Sequence, residues 1–247
     1  MKTDLQNDPL AAQIAFLQSA PLFSHLNETD LGMLAADFSP IAYAKGEAIF
    51  WHGDASIEFY LVRRGKVRIY KISPGGRKTS INLFSSGDVI GEFAAIDRQP
   101  RSATAQAVSE CLVWRMEGDV FLDHLRALPD LSLALNRLLI HKLRWTAEFA
   151  EIAAQYDAAG RLLHLLLLYN EQFGNMMEPD KRYELELGLN QDDLASMVGT
   201  NKEWVNRLLQ AWRRRGWLAY ERGKITIHDL PALHGERDRR LKGDFSN

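Results

Sequence analysis

Asn190-Gln191-Asp192-Asp193-Leu194-Ala195-Ser196-Met197-Val198-Gly199-Thr200-Asn201-Lys202-Glu203-Trp204-Val205-Asn206-Arg207 decides the reading of the chain. A polar cap and two acids open a first helix, where the free N–H groups and the positive end of the helix dipole favour them. Gly199 stands where a left-handed residue ends that helix. Thr200-Asn201 then caps a second helix, Lys202 to Arg215. Two helices joined by so tight a turn, with Ala195, Val198, Val205 and Leu208 facing inward, predict a helix-turn-helix.

Downstream, Arg213-Arg214-Arg215-Gly216-Trp217-Leu218 leads into a hairpin: Leu218 to Glu221, a turn at Arg222-Gly223-Lys224, then Ile225-Thr226-Ile227. That is a wing. Between 202 and 224 the cations Lys202, Arg207, Arg213, Arg214, Arg215, Arg222 and Lys224 face only Glu203 and Glu221. The whole chain carries a formal net charge of −2, so this excess is local, as a phosphate-facing surface requires. Candidate DNA contacts are Asn190, Gln191, Asn201, Lys202, Glu203, Trp204, Asn206 and Arg207. Arg207 can donate twice to guanine N7/O6, Glu203 can accept from cytosine N4, and Lys202 suits guanine or phosphate.

Upstream, the helical period dominates from Asp119 to about Tyr156, with Pro129 tolerated in a first turn and neither Gly nor Pro after it until Gly160. One apolar stripe reads Leu135, Leu139, Leu143, Thr146, Ala150, Ala153; the other reads Leu131, Leu138, Trp145, Phe149, Ile152. A helix of about 45 Å with two stripes needs two covers. One is the β-domain beside it; the other is a second copy packed as a coiled coil. Leu135, Leu139, Leu143, Ala150 and Ala153 are the dimerisation candidates. Asp157 to Gly160 reads as a hinge, Arg161 to Phe173 as a helix, and Gly174 to Arg182 as an exposed loop.

Residues 41–116 are β-rich. Ile49-Phe50-Trp51, Phe59 to Val62, Lys66 to Ile72 and Thr79 to Phe84 are separated by turn signals, which predicts a sandwich or barrel-like roll. In Val67 to Ile72 apolar and basic residues alternate, as in a half-buried strand. Two short helices precede the roll, at 10–20 (Leu10, Ile14 and Leu17 on one face) and 28–38 (capped by Asn27, with Leu31, Leu34 and Phe38 inward).

A second constellation runs Gly91-Glu92-Phe93-Ala94-Ala95-Ile96-Asp97-Arg98-Gln99-Pro100-Arg101-Ser102-Ala103-Thr104. Gly91 permits close backbone approach. A helix starting near Glu92 would aim N–H groups at an anion. Arg101 offers a bidentate guanidinium for a phosphodiester, Ser102 a hydroxyl, and Glu92 an acceptor for a ribose hydroxyl. The plain alternative is a Glu92–Arg101 salt bridge.

A length of 247 residues suggests two domains. The single cysteine, Cys111, reads as a small buried hydrophobe. It precludes a disulfide within the chain and a four-thiolate iron–sulfur cluster unless several chains share one. No run reaches the length of a membrane span, so the expected compartment is the cytoplasm. No P-loop, HExxH or GxSxG occurs; no catalytic residue and no metal ligand is assigned, and no cofactor is obligatory.

On these residues the chain resembles the Crp/Fnr family over roughly residues 22–228. The family's phosphate-binding cassette reads Gly-Glu, a short helix, then Arg-Ser/Ala-Ala, matched by Gly91-Glu92 and Arg101-Ser102-Ala103. Its dimer helix ends in a Thr-Ser pair that contacts adenine, then a hinge Asp and Gly-Arg. Pro129-Asp130 to Asp157 and Gly160-Arg161 follow that pattern without a gap. Thr146 falls on the adenine-contacting threonine. Ala147 replaces the companion serine, which leaves guanine or another ligand open. The recognition helix, Arg-Glu-x-x-x-Arg in the family, here begins with Lys202 and loses a planar fork, and Trp204 replaces a small residue that usually touches phosphate.

The resemblance implies an α+β fold: an N-terminal helical extension (1–21), a cyclic-nucleotide-binding-type β-roll or jelly roll (22–126), a long dimerisation helix (127–157), a winged helix-turn-helix (158–230) and a C-terminal tail (231–247). It further implies a homodimer on palindromic double-stranded DNA and RNA polymerase as a partner. Cyclic AMP or a related cyclic nucleotide is the implied effector, with Gly91, Glu92, Phe93, Arg101, Ser102 and Thr146 around it. Three rivals stay open: a haem or redox sensor of the same family, with His25, His52, His124 and His141 as available ligands; a regulator needing no effector; and a regulatory subunit of an enzyme.

Overall fold

Short elements, punctuated by turn residues, make up the first half of the computed structural model, which describes residues 10–76, 78–177, 182–221 and 223–241. They are α1 (Leu10–Ser19), α2 (Glu28–Asp37), β1 (Ser39–Tyr43), β2 (Ala48–Phe50), β3 (Phe59–Arg64), β4 (Val67–Ile72), β5 (Lys78–Phe84), β6 (Val89–Ile90), α3 (Glu92–Asp97), β7 (Thr104–Ala107), β8 (Cys111–Met116) and α4 (Gly118–Ala127). The second half holds α5 (Pro129–Gln155), α6 (Ala158–Phe173), β9 (Asn175–Met177), β10 (Arg182–Glu186), α7 (Gln191–Val198), α8 (Lys202–Arg214), β11 (Leu218–Glu221), β12 (Lys224–Ile227) and α9 (Leu230–Asp238). The chain divides into two compact units, one of residues 10–71 with 81–143, the other of 72–80 with 144–241.

In the first unit, sheets ordered β1-β8-β3-β6 and β2-β7-β4-β5 form the roll. Alternation explains the continuous apolar run of β3. Tyr60 and Val62 pack with Phe50, Val67, Ala105, Cys111 and Val113 between the sheets. Phe59 and Leu61 point the other way, into a core shared with Leu17, Leu31, Phe121 and Leu131 of the covering helices. Both faces of the strand are therefore buried, each large side chain contributing about 1.5–3 kcal/mol. Cys111 is buried as expected, its thiol donating to Lys66 O at 3.1 Å.

Several expectations are corrected. Leu10 is exposed, and the inner face of α1 rests on Leu17 and Ile14. Arg68 does not alternate outward: it is 5% exposed, donates to Gln106 Oε1 and lies over the Tyr70 ring. Pro129 opens α5 as expected, and Leu128 ends α4 ahead of it, where the proline restricts the preceding residue. The hinge shrinks to Tyr156-Asp157, because Asp157 caps α6 by accepting from Gly160 N at 2.7 Å. The Gly174 to Arg182 loop contains β9 and the first residue of β10, which pair antiparallel; residues 178–181 lie outside the described chain.

In the second unit, α7, Gly199 and α8 form the helix-turn-helix. Leu209 and Trp212, rather than Leu208, fill the inner face of α8 beside Val205. The wing hairpin β11-β12 extends through β10 to β9. The charged tail is not a solvated helix end. It forms α9, with Leu233 fully buried and Glu236 6% exposed. Glu236 accepts from Arg239 and Arg240, and Arg240 also reaches Asp157 Oδ2 at 3.3 Å.

Candidate functional site

Gly91 joins β6 to α3 with φ +83°. A Cβ there would lie 2.7 Å from Arg101 Nη1 and 2.9 Å from Glu58 O. Only glycine combines that backbone with that approach. Arg101 consequently tucks beneath the turn, 2% exposed. Its Nε donates to Ser56 Oγ at 2.9 Å, Nη1 to Gly91 O at 3.0 Å, and Nη2 to Glu58 O and Oε2 at 2.8 and 3.2 Å. The guanidinium lies over Phe50, 4.3 Å from the ring centroid. Burial pulls its pKa below the ordinary value, opposed by Tyr60 and Glu58; an arginine stays charged nonetheless.

Glu92 follows in sequence and is 3% exposed. Its Oε1 lies 2.6 Å from Lys142 Nζ on α5. Lys142 also donates to Val89 O at 3.0 Å and sits 4.8 Å from the Phe84 ring centroid. Glu92 and Arg101 therefore do not pair with each other. Each has its own counter-ion, and the cassette holds two separate charge pairs rather than one. Phe93 and Ser102 are exposed, Phe93 with its ring 6.0 Å from Lys142 Nζ. Thr146 is exposed on α5, four residues after Lys142.

Sequence reasoning missed Ser56, Glu58 and Lys142. Lys142 left a signal: it falls between Leu138 and Trp145 in the inward stripe of α5, a position where a cation needs a buried partner. Ser56 and Glu58 left none, lying more than forty residues from Arg101 with ordinary polar neighbours.

At the other end of the chain, a capping box starts α7. Asn190 Oδ1 accepts from Asp193 N, and Asp193 Oδ2 from Asn190 N, both at 2.9 Å. Gly199 ends that helix at φ 70°, ψ 34°. Asn201 Oδ1 caps α8 by accepting from Trp204 N at 2.8 Å. Both asparagine oxygens are thus committed to the backbone. Gln191 donates to Asn206 Oδ1 at 3.4 Å, tying the two helices.

Lys202, Glu203, Asn206 and Arg207 are all exposed in the first half of α8. Lys202 Nζ lies 3.4 Å from Asp192 Oδ2. Trp204 is half-buried, its indole nitrogen sealed from solvent. The Arg207 guanidinium lies over its ring, 4.8 Å from the centroid. Trp204 thereby braces Arg207 from within. Arg213 faces Glu221 at 3.9 Å and Lys224 binds Glu184 at 2.6 Å, so the wing's cations are partly matched.

A nucleotide-cassette roll followed by a winged helix-turn-helix defines a DNA-binding transcription regulator with a cyclic nucleotide-binding domain. The family profiles agree: the cyclic nucleotide-binding domain matches residues 40–127 and the Crp-like helix-turn-helix domain residues 160–235. The chain belongs to the Crp/Fnr family, whose members are transcription regulators and not enzymes. It is 27% identical over 217 residues to the CRP-like cAMP-activated global transcriptional regulator of Mycobacterium tuberculosis, covering 88% of this chain and 96% of that protein. It is 27% identical over 218 residues to the Cyclic AMP receptor protein of Thermus thermophilus, again covering 88% and 96%. The solved structure of FixK2 from Bradyrhizobium japonicum superposes with a TM-score of 0.71 at 20% identity, over 80% of this chain and 96% of that one. That last likeness concerns the fold alone. Among the described residues no helix is long and apolar enough to cross a membrane.

Proposed function

We propose that the protein works as a homodimer whose DNA affinity is set by a cyclic nucleotide, with cyclic AMP the first candidate. Gly91, Arg101 and Ser102 take the phosphodiester, Glu92 the ribose hydroxyl, Phe93 flanks the sugar, and Thr146 meets the base. The observation that carries this reading is a buried guanidinium and a buried carboxylate on one cassette, each matched by a separate counter-ion. Such a pair suits a ligand that is anionic on one side and a hydrogen-bond donor on the other. The two relatives named for cyclic AMP support that effector.

Support for the dimer lies on α5. Leu143 is 69% exposed, and Thr146, Ala150 and Ala153 are exposed along the same stripe. Leu135 is excluded from it: at 5% exposure it belongs to the core of its own chain, and Leu139 is half-buried against that core. A second α5 covers the stripe from Leu139 onward. Two copies of Lys202, Glu203, Asn206 and Arg207 then read a palindromic site in major grooves about 34 Å apart, with the remaining DNA candidates positioning the helix. RNA polymerase is the further partner of this reading.

A second reading is favoured by one fact. Four of the five N–H groups of Arg101 already donate within the chain, so a phosphate bound by two of them must displace Ser56, Glu58 or the Gly91 carbonyl. Under that reading the cassette is a structural clasp and DNA binding needs no ligand. Calorimetric titration with cyclic AMP and cyclic GMP, followed by DNA binding with and without each, separates the two. Saturable binding that raises DNA affinity supports the first; full DNA affinity with no nucleotide binding supports the second.

A further inference from the structure

The second unit contains a cavity of about 350 Å3 lined by Trp145, Phe149 and Ile152 of α5, His164 and Leu168 of α6, and Met197 of α7. Its size is that of a small organic ligand. Trp145 and Phe149 stack with centroids 5.3 Å apart and planes 15° from parallel, giving the wall a flat aromatic face. Aliphatic and thioether side chains make up most of the rest, with Thr79, Glu148, Arg161 and Ser196 as polar members of the lining.

His164 differs from these in carrying a buried, unmet ring nitrogen. Its Nε2 faces Glu148 Oε1 at 3.5 Å, while Nδ1 is buried and has no hydrogen-bond partner. Burial holds the imidazole pKa below its ordinary value, against the pull of Glu148, so the ring is neutral at pH 7. With the proton on Nε2 toward the carboxylate, Nδ1 presents a bare lone pair. An unmet acceptor in apolar surroundings is costly and is relieved by any donor that reaches it. Arg161, the cation on the lining, is tied to the backbone by two of its three nitrogens: Nε donates to Val198 O at 2.8 Å and Nη1 to Tyr156 O at 3.0 Å. The Glu148 carboxylate on the same lining opposes an anion there.

We propose that this cavity binds a neutral, planar aromatic compound carrying one hydroxyl or N–H donor, its ring lying on the Trp145–Phe149 wall and its donor meeting His164 Nδ1. The site uses no residue of the nucleotide cassette and stands or falls separately from the effector reading.

The test is calorimetric titration of the full-length protein with 2-naphthol and with naphthalene, which lacks the donor. Saturable binding of 2-naphthol is expected, with naphthalene about tenfold weaker, the weight of one hydrogen bond to a buried neutral group. His164→Leu keeps the apolar volume and removes the acceptor; the two compounds should then bind alike. Nitrogen-15 NMR of the unaltered protein gives a reading that does not depend on the variant folding. The His164 Nδ1 resonance should shift with 2-naphthol and stay in place with naphthalene. No saturable binding of 2-naphthol up to its solubility limit, an Nδ1 resonance indifferent to it, or a hydroxyl preference that survives His164→Leu, each overturns the proposal.

Discussion

Lys142 reaches from the long helix to hold Glu92, Nζ to Oε1 at 2.6 Å, with only 18% and 4% of the two side chains exposed. The cassette and the middle of α5 are therefore one electrostatic unit. Removing one partner leaves the other charge buried, at a cost of about 3–5 kcal/mol. Lys142→Met should lower the stability of the first unit by that order. Adding Glu92→Gln should restore much of it, since both charges are then gone. Urea unfolding of the two single variants and the double variant measures the coupling; additive effects would mean the pair is energetically inert.

Gly91→Ala should destabilise by about 2 kcal/mol, the price of a strained left-handed residue, because the added methyl meets both Arg101 Nη1 and Glu58 O. Thermal unfolding reports this. Nucleotide affinity should fall in the same variant, as the guanidinium is pushed from under the turn.

Trp204→Leu removes the ring beneath Arg207 but keeps apolar bulk at a half-buried position. Specific DNA affinity should fall about fivefold, in line with a cation–π contact of about 1 kcal/mol, while non-specific affinity at low salt stays unchanged. Fluorescence anisotropy with specific and scrambled duplexes distinguishes the two. An equal loss on both duplexes would show that Arg207 reads phosphate rather than a base.

Arg240→Ala frees the C-terminal helix from the hinge, because Arg240 bonds both Glu236 and Asp157. Its side chain is 36% exposed, so solvent screening limits the cost to about 1 kcal/mol. Hydrogen exchange at Tyr156 to Gly160 should quicken while the first unit is unaffected. Unchanged protection at the hinge would count against a clasp.

His164 has a pKa held below its ordinary 6.5 by burial. A depressed histidine favours the folded state when neutral, so that contribution is full above pH 6.5 and is lost as pH falls through the folded value. Between pH 7.5 and 5.5 the urea midpoint of the unaltered protein should drop further than that of His164→Leu. Parallel pH profiles for the two would remove His164 from the account.

The helix-turn-helix was legible because its signals are local: Asn190, Gly199 and Asn201 each act within a few residues of their own position. So was the duplicity of α5, whose inward stripe ends on Ile152, buried as expected. Distance in the chain hid the rest. Arg101 meets Glu58 across 43 positions, and Glu92 meets Lys142 across 50. Glu236 looked like a solvated charge because its cations follow it in sequence; the docking of α9 that buries it depends on Leu233 and α6. Strand β1 was legible only from Ile41, because exposed Ser39 and Pro40 carry no apolar signal ahead of half-buried Ile41 and Tyr43.

Cys111, whose thiol is buried against Lys66 O and pushed upward in pKa by that burial, is the only sulfhydryl in the sequence. Maleimide chemistry consequently starts from a silent background. A cysteine introduced at exposed Gln210 becomes the one fast-reacting position, and a nitroxide attached there would turn a two-copy assembly into a ruler, its dipolar spectrum reporting the span between reading helices with and without nucleotide.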